Sequence, residues 1–270
     1  MKKYITLLAA GIFLLIFNAT AQNDGEFTVP LSDPAKRIKL VVDINYGGII
    51  LVGTPRKDVL VKYASEESKK NNSQSNSTKD GMKRISGGTM DLEVSENQNS
   101  VRIESSSWSN KMNLYVEVPF GADVTLSSHN SGDLSASAIQ GQVELETYNG
   151  KITADKISGS VVASTYNGEV KISFDKITEG TPMSFSTYNG DIDITVPTTF
   201  KGSLKMRTER GEVYSDFDVS LVKSGPIQKK DTKSGVYKVV IDEWVKGDIN
   251  GGGPEFMMKT YNGDILIRKK

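Results

Sequence analysis

The sequence contains no cysteine and only one histidine, His129. Without cysteine the chain can form no disulfide, no thiolate metal site, no cysteine nucleophile and no lipidated cysteine. A single histidine leaves one possible imidazole base, and no nucleophile motif surrounds it, so we expect no Ser-His-Asp site and no enzymatic activity. Only carboxylates remain as metal ligands, and these favour hard cations such as Ca²⁺. We therefore expect no cofactor.

Long apolar runs are also scarce. The one candidate, residues 5–17, is too short for a bilayer, which needs about 20 apolar residues. It follows the basic pair Lys2-Lys3 and precedes an A-x-A site at Ala19-Thr20-Ala21. This order is typical of a secretory signal peptide, so we predict that residues 1–21 are removed and that the mature chain begins at Gln22. We expect export to the periplasm, cell surface or medium, without a transmembrane segment in the mature chain.

The chain lacks an excess of charge of either sign. It has 33 Lys and Arg against 33 Asp and Glu, and the predicted signal peptide holds two of the lysines and no acid, which leaves 31 basic and 33 acidic residues. A balanced chain offers no electrostatic footprint for nucleic acid. We therefore expect no nucleic-acid partner.

The sequence does contain an internal repeat. Thr-Tyr-Asn-Gly occurs at 147–150, 165–168, 187–190 and 260–263, with a degenerate copy at 208–211. The first three turn glycines and the degenerate one are separated by 18, 22 and 21 residues. A period near 20, with a strand on each side of a fixed turn, is typical of β-solenoid coils that bury their faces against one another.

Strand alternation on both sides of the turns predicts the core. Residues two apart point to the same side of a strand, so we expect residues 119–215 to form stacked parallel coils. The predicted fold class is all-β, a single-stranded parallel β-helix or β-solenoid with coils of about 18–22 residues. A meander of antiparallel hairpins is the alternative. The predicted buried residues are Val143, Leu145, Ile152, Val161, Val170, Ile172, Phe185, Ile192, Ile194 and Leu204.

The turn residues have a predicted role of their own. Glycine accepts positive φ and asparagine tolerates it, so Asn-Gly bends the chain sharply between strands. If each strand pairs with its counterpart one coil away, about 4.8 Å distant, Asn149, Asn167 and Asn189 should form a ladder of hydrogen-bonded amides.

We predict one domain in the mature chain, a β-solenoid over residues 22–270. Residues 65–80 contain no apolar side chain, which favours a mobile polar loop. The period fails over residues 216–253, which we interpret as a hairpin-like insertion before the last coil that could cover the open strand edge.

Two columns of repeated side chains are candidate surface sites. Tyr148, Tyr166 and Tyr188 should lie at equivalent outward positions, with Tyr261 separated from them by the insertion. Rigid aromatic rings with hydroxyls can contact sugars or partner proteins, but stacked rings also stabilise a sheet. His129 is expected in the inward position that threonine fills in other coils.

The second column follows the turn glycine and is acidic. If the coils stack in sequence order, Glu169, Asp191 and Glu212 are adjacent. They could bind a cation weakly, or they could be solvated charges, which repel by only about 1 kcal/mol in water. The Gly/Asp signature of calcium-binding β-rolls is absent.

Three stretches carry a family resemblance. They are 114–126 (LYVEVPFGADVTL), 131–134 (SGDL) with the following Thr-Tyr-Asn-Gly coils, and 251–267 (GGGPEFMMKTYNGDILI). They resemble the bacterial "putative adhesin" family of exported β-strand-repeat proteins over essentially all of 30–270. The resemblance implies a β-helix related in shape to pectate-lyase-like folds and to auto-transporter adhesin heads, and no catalytic residue. A fold by itself does not identify a protein's function.

These observations lead to one expectation about function and two alternatives. We expect an exported, non-enzymatic cell-envelope or surface module that contacts an envelope polysaccharide or protein. A carbohydrate-active enzyme of pectate-lyase-like shape is one alternative, although no cluster of acids with Arg or Lys is visible. A scaffold that self-assembles end to end is the other.

Overall fold

A computed structural model describes residues 23–66, 91–222, 227–230, 237–240 and 244–270. Within these ranges the chain is all-β and contains no helix, as predicted. It therefore has no helix in this part that is long and apolar enough to cross a membrane. The predicted signal peptide at 1–21 lies outside the described residues. So does the predicted loop at 65–80, except that Ser65 and Glu66 complete a strand.

Twenty-two strands are described, most of them short because each spans one side of a coil. Their bounds are β1 Asn23–Pro30, β2 Lys39–Ile44, β3 Ile49–Thr54, β4 Asp58–Glu66, β5 Glu93–Asn97, β6 Ser100–Ser105, β7 Lys111–Pro119, β8 Asp123–Ser128, β9 Leu134–Ser137, β10 Gln142–Asn149 and β11 Ile152–Asn167. The remainder are β12 Val170–Ile177, β13 Met183–Ser186, β14 Ile192–Val196, β15 Gly202–Arg207, β16 Val213–Ser215, β17 Val219–Val222, β18 Ile227–Lys230, β19 Tyr237–Val240, β20 Val245–Ile249, β21 Glu255–Lys259 and β22 Ile265–Lys269.

The strands form two faces around one core. Face A runs β1, β4, β7, β3, β9, the first half of β11, β12, β14, β22, β16. Face B runs β5, β6, β2, β8, β10, the second half of β11, β13, β21, β15, β20, β17. One coil is a strand of face B, a turn and the following strand of face A.

Pairing between successive coils is parallel, whereas both ends of the stack are antiparallel. The pairs β8–β10, β10–β11 and β11–β12 are parallel, so the antiparallel meander is wrong for this region. Antiparallel strands occur at one end as β1, β4 and β5. At the other end, β20 pairs antiparallel with both β15 and β17. The architecture is thus a mixed-strand, β-solenoid-like fold.

The order of coils in the stack differs from their order in the sequence. The last coil of the chain, β21–β22, lies between the β13–β14 coil and the β15–β16 coil. The first coil, β2–β3, lies in the same way between the β6–β7 and β8–β9 coils. Both terminal coils are therefore held between two neighbours, which corrects the expectation that coils stack in sequence order.

The core is a continuous column of Val, Ile, Leu, Met and Phe side chains between the two faces. All ten residues of the predicted core are buried. Phe256, from the inserted last coil, contacts both Phe185 and Phe174, with ring centroids 6.0 Å and 6.4 Å apart. Each fully buried side chain of this kind contributes about 1.5–3 kcal/mol through the hydrophobic effect, so the core ties the terminal coil to the middle of the chain.

The segment predicted as an insertion, 216–253, supplies the strands at one end of face B. β20 pairs with both β15 and β17, and β18 pairs with β19 as an antiparallel hairpin. β20 thus covers the edge of β15 on this face. On face A the short β16 pairs with β22 alone among the described strands.

Candidate functional site

Four tyrosines form one continuous row at the turn edge of face B. Tyr148 stacks on Tyr166, Tyr166 on Tyr188 and Tyr188 on Tyr261, with centroids 5.0, 4.8 and 4.8 Å apart. The planes differ by only 3°, 2° and 3°. The prediction that Tyr261 is separated from the others is wrong, because the last coil inserts beside the Tyr188 coil. The row therefore contains four rings.

The stacking decides which part of each ring a partner could reach. Tyr148, Tyr166 and Tyr188 are 52%, 41% and 39% exposed. Tyr166 and Tyr188 have a neighbouring ring on each face, whereas Tyr148, at the end of the row, has one on a single face. Along the row, a partner therefore meets mainly ring edges and hydroxyls. At one end the guanidinium of Arg210 lies over Tyr261, 5.5 Å from the ring centroid. The row can thus offer hydrogen bonds and edge contacts at a regular spacing, while its inner rings offer no open faces.

Each tyrosine is fixed by the buried threonine before it. The hydroxyls of Thr147, Thr165 and Thr187 donate to the carbonyls of Gly132, Gly150 and Gly168 at 3.1, 3.0 and 2.9 Å. Thr260 and Thr208 make the same bond to Gly190 and Gly263. In every case the acceptor belongs to the adjacent coil. The inward hydroxyl therefore locks the register that brings the outward rings together.

The predicted asparagine ladder is present and is one member longer than expected. The side-chain amides of Asn167, Asn189 and Asn262 each donate to the amide oxygen of the neighbouring asparagine at 2.6 Å. Asn149, at the end of the ladder, donates to the carbonyl of Asn130 at 3.0 Å. The ladder joins the asparagine side chains of all four turns in the row, so it helps to hold the adjacent tyrosines in register.

The turn glycine is required chiefly by close approach of backbones. A Cβ placed on Gly190 would lie 2.2 Å from the carbonyl oxygen of Gly168, and one on Gly150 would lie 2.1 Å from that of Gly132. Gly190 also has φ of +148°, which L side chains rarely adopt. None of the four motif asparagines has positive φ. The asparagine thus serves the ladder, while the glycine allows one coil to rest on the next.

Beside the tyrosines, the outward side chains of face B change along the stack from acidic through uncharged to basic. Across neighbouring coils, Glu146 pairs in register with Ser164, Ser164 with Ser186, and Ser186 with Lys259. On the next strand, β15, Arg207 pairs in register with Lys259. The two serine hydroxyls are hydrogen-bonded at 3.1 Å. We call the four tyrosines together with the outward side chains of face B from β8 to β15 the tyrosine face.

The acidic column on the other side of the turn is arranged differently from the prediction. Asp264 lies between Asp191 and Glu212, because β22 pairs with both β14 and β16. Asp191 accepts the backbone N–H of Asp264 at 2.8 Å, and Asp264 accepts that of Glu212 at 2.8 Å. Glu169 forms an ion pair with Lys151 at 2.6 Å. These carboxylates link coils, and the described part of the chain holds no group of three acidic or histidine side chains placed to bind a metal ion.

His129 occupies the position of a tyrosine, not of a threonine. Ser128 pairs with Thr147 in register, so it is Ser128 that points inward, and its hydroxyl donates to the carbonyl of Gly47 at 2.8 Å. His129 is therefore outward, and its Nε2 lies 2.8 Å from a carboxylate oxygen of Asp43. Both side chains remain partly exposed, so the prediction of an inward histidine is wrong.

An acidic depression at the β6 end was missed by the sequence analysis. Asp43, Glu104 and the buried Ser105 line it. A hydrogen bond from Arg102 holds the pKa of Glu104 below its ordinary value. The Ser105 hydroxyl has no hydrogen-bond partner in the described structure. Ser105 occupies the position that threonine fills in other coils, but in the outermost parallel coil. In the described part of the chain, no further coil lies beyond it to supply a turn carbonyl as acceptor. Its hydroxyl therefore lacks a partner because the stack ends there.

Comparison with known proteins gives a partial family match. Residues 121–250 match the family model described as Toastrack DUF4097. This range runs from the β8 coil to β20, and it agrees over that part of the chain with the predicted family resemblance. No curated protein matches the chain significantly.

Two solved structures are similar over most of the chain at low identity. One is a putative cell adhesion protein from Clostridium sporogenes, with 12% identity, 92% of this chain and 100% of that chain covered, and a TM-score of 0.47. The other is a putative adhesin from Bacteroides fragilis, with 9% identity, coverage of 92% and 98%, and a TM-score of 0.40.

Proposed function

We propose that this protein is an exported, non-enzymatic module that contacts an envelope polysaccharide or protein, an adhesin in the broad sense. The observation that carries the proposal is the four-membered tyrosine row. Its hydroxyls are repeated once per coil on a scaffold fixed by the threonine and asparagine hydrogen bonds. A rigid array loses little conformational freedom on binding, which favours contact with an extended partner.

The site chemistry supports contact more than catalysis. The single histidine is paired with Asp43 at a partly exposed edge, and the carboxylates that follow the turns accept backbone hydrogen bonds between coils. Both kinds of group are thus engaged in contacts that hold coils together, and the proposal assigns no catalytic residue.

We also propose the finer form of the fold and the compartment. The coils would form a single-stranded parallel β-helix, related in shape to auto-transporter adhesin heads, in a mature chain that begins at Gln22. Intact mass of the protein from its native host tests the export step. Mass corresponding to a start at Gln22 supports secretion, whereas a retained segment 1–21 in the membrane fraction contradicts it.

The experiment that tests the function uses the purified chain 22–270 and a panel of envelope polysaccharides and envelope protein fractions. We expect saturable binding to at least one of them, without shortening of the polysaccharide or release of products. A matched variant, Lys171→Glu, alters the exposed surface of face A and should bind as the parent does. Product release would favour the carbohydrate-active enzyme, and absence of binding to every fraction would contradict the proposal.

A further inference from the structure

The tyrosine face has a repeat distance that few partners share. Its rings are spaced by 4.8–5.0 Å, which is the separation of neighbouring strands in a sheet. An extended peptide lying across the coils repeats every two residues, at about 6.6–6.8 Å, and falls out of step with the row. Another stack of strands has the same repeat and stays in step along its whole length.

The rings of the row stay parallel from coil to coil. Successive ring planes differ by only 2–3°, so the row keeps one ring orientation over the four coils that carry tyrosine. Two such rows can meet ring by ring along their length. The centre of the face carries the small side chains Ser164 and Ser186, which are hydrogen-bonded to each other, and the exposed Val162.

The charges on the face are complementary to those on a second copy turned end for end. Glu144 and Glu146 lie exposed on β10, and Lys259 lies exposed on β21, with the Ser164 and Ser186 coils between them. A two-fold axis parallel to the strands, between β11 and β13, places β10 of one copy against β21 of the other. Glu146 then faces Lys259 of the second copy, and this pair occurs twice.

The same axis places the tyrosine rows against each other. Tyr148 faces Tyr261 of the second copy, and Tyr166 faces Tyr188. A surface that meets itself in this way is isologous, which is the usual geometry of homodimers. Neither Glu146 nor Lys259 has an ion-pair partner among the described residues, so both are available for the pairing.

We propose that the tyrosine face binds the tyrosine face of a second copy of this chain, with the two solenoids antiparallel. The inference rests on the proposed function, because it takes the same face as a contact surface and names its partner. Six coils of about 4.8 Å by about 20 Å along the strands give roughly 600 Å² per copy. A stable interface buries about 800 Å² per partner, so the dimer is weak and depends on concentration.

The proposal is tested by swapping the two charges of the proposed pair. Sedimentation equilibrium of the chain 22–270 over a range of concentrations measures the dimer of each variant. Glu146→Lys and Lys259→Glu each bring like charges together at both pairs, so each variant alone should dimerise at least about tenfold more weakly than the parent. An equimolar mixture of the two variants restores an acid opposite a base at both pairs. We expect the mixture to form a heterodimer of about parental affinity, and high salt to weaken it.

Circular dichroism and melting temperature check that both variants are folded, and Lys171→Glu on face A is the matched control, expected to dimerise as the parent does. A parent that is monomeric at every concentration overturns the proposal, as does a mixture that fails to associate. The polysaccharide and envelope panel is scored separately. A monomeric parent that binds the panel contradicts only this inference, and a dimer that binds nothing else contradicts only the wider function.

Discussion

Tyr188 stacks on Tyr261, with ring centroids 4.8 Å apart and planes within 3°, although strands β14 to β21 separate the two residues in sequence. The contact exists because the last coil of the chain inserts next to the third Thr-Tyr-Asn-Gly coil. The same insertion extends the asparagine ladder to Asn262. It thus makes one surface from four copies of the motif, where the sequence order indicates a row of three and a separate fourth.

Phe185 is the first test of the core, because it is fully buried and contacts Phe256 of the inserted coil. We expect Phe185→Ala to lower the free energy of unfolding by about 3–5 kcal/mol through lost burial and a cavity. Chemical denaturation measures it. Val162→Ala, at an exposed position of β11, should change stability by no more than about 0.5 kcal/mol. Equal effects of the two changes would contradict the assigned core.

Thr187 tests the inward hydroxyl. Thr187→Val keeps the shape of the side chain but leaves the partly buried Gly168 carbonyl without the bond that Thr187 donates at 2.9 Å. We expect a loss of about 1–3 kcal/mol, measured by urea denaturation. Thr187→Ser retains the donor and should lose less. If the serine variant were the less stable of the two, the hydroxyl would not be what holds the register.

Gly190 tests the close approach of the coils. We expect Gly190→Ala to prevent normal stacking, because its Cβ would lie 2.2 Å from the Gly168 carbonyl oxygen and its φ is +148°. A large drop in melting temperature should result. Gly121→Ala is the matched control, since a Cβ there meets nothing within 4 Å. A Gly190→Ala protein as stable as the control would show that the coils are further apart than described.

Calcium should leave the melting temperature unchanged. Asp191 and Asp264 use carboxylate oxygens to accept backbone N–H groups of the next coil, and a ligand that binds only the folded state would raise the melting temperature. Thermal denaturation with and without millimolar calcium makes the comparison. A rise with calcium that disappears in Asp191→Asn would establish a cation site in this column and would contradict the structural role given to it.

Local patterns were sufficient to predict the core and the ladder. The alternation around Val143 and Leu145 depends only on the two-residue period of a strand, and the ladder from Asn149 to Asn189 follows once equal turns stack in register. Both features are present. They could be predicted because each depends on coils that are also neighbours in sequence.

The order of the terminal coils could not be predicted in the same way. Pairing of β21 with β13 and β15 depends on contacts across long sequence separations, and the repeat of Thr-Tyr-Asn-Gly does not say which copy lies beside which. The position of His129 was missed for a related reason. Its turn has an extra residue, Ser131, relative to the Tyr148 turn, so alignment on the glycine shifts the strand by one and exchanges inward and outward residues.

The most direct test of the central claim is replacement of Tyr148, Tyr166, Tyr188 and Tyr261 together by Phe, with binding and melting temperature measured on the same preparation. Phenylalanine keeps the ring stack and removes only the exposed hydroxyl row, so stability should change little. A matched four-serine variant should lose both stability and binding. If the tyrosine face is the contact surface, the phenylalanine variant should melt as the parent does and lose its attachment to the envelope fraction that the parent binds. Undiminished attachment by the folded phenylalanine variant would contradict the claim.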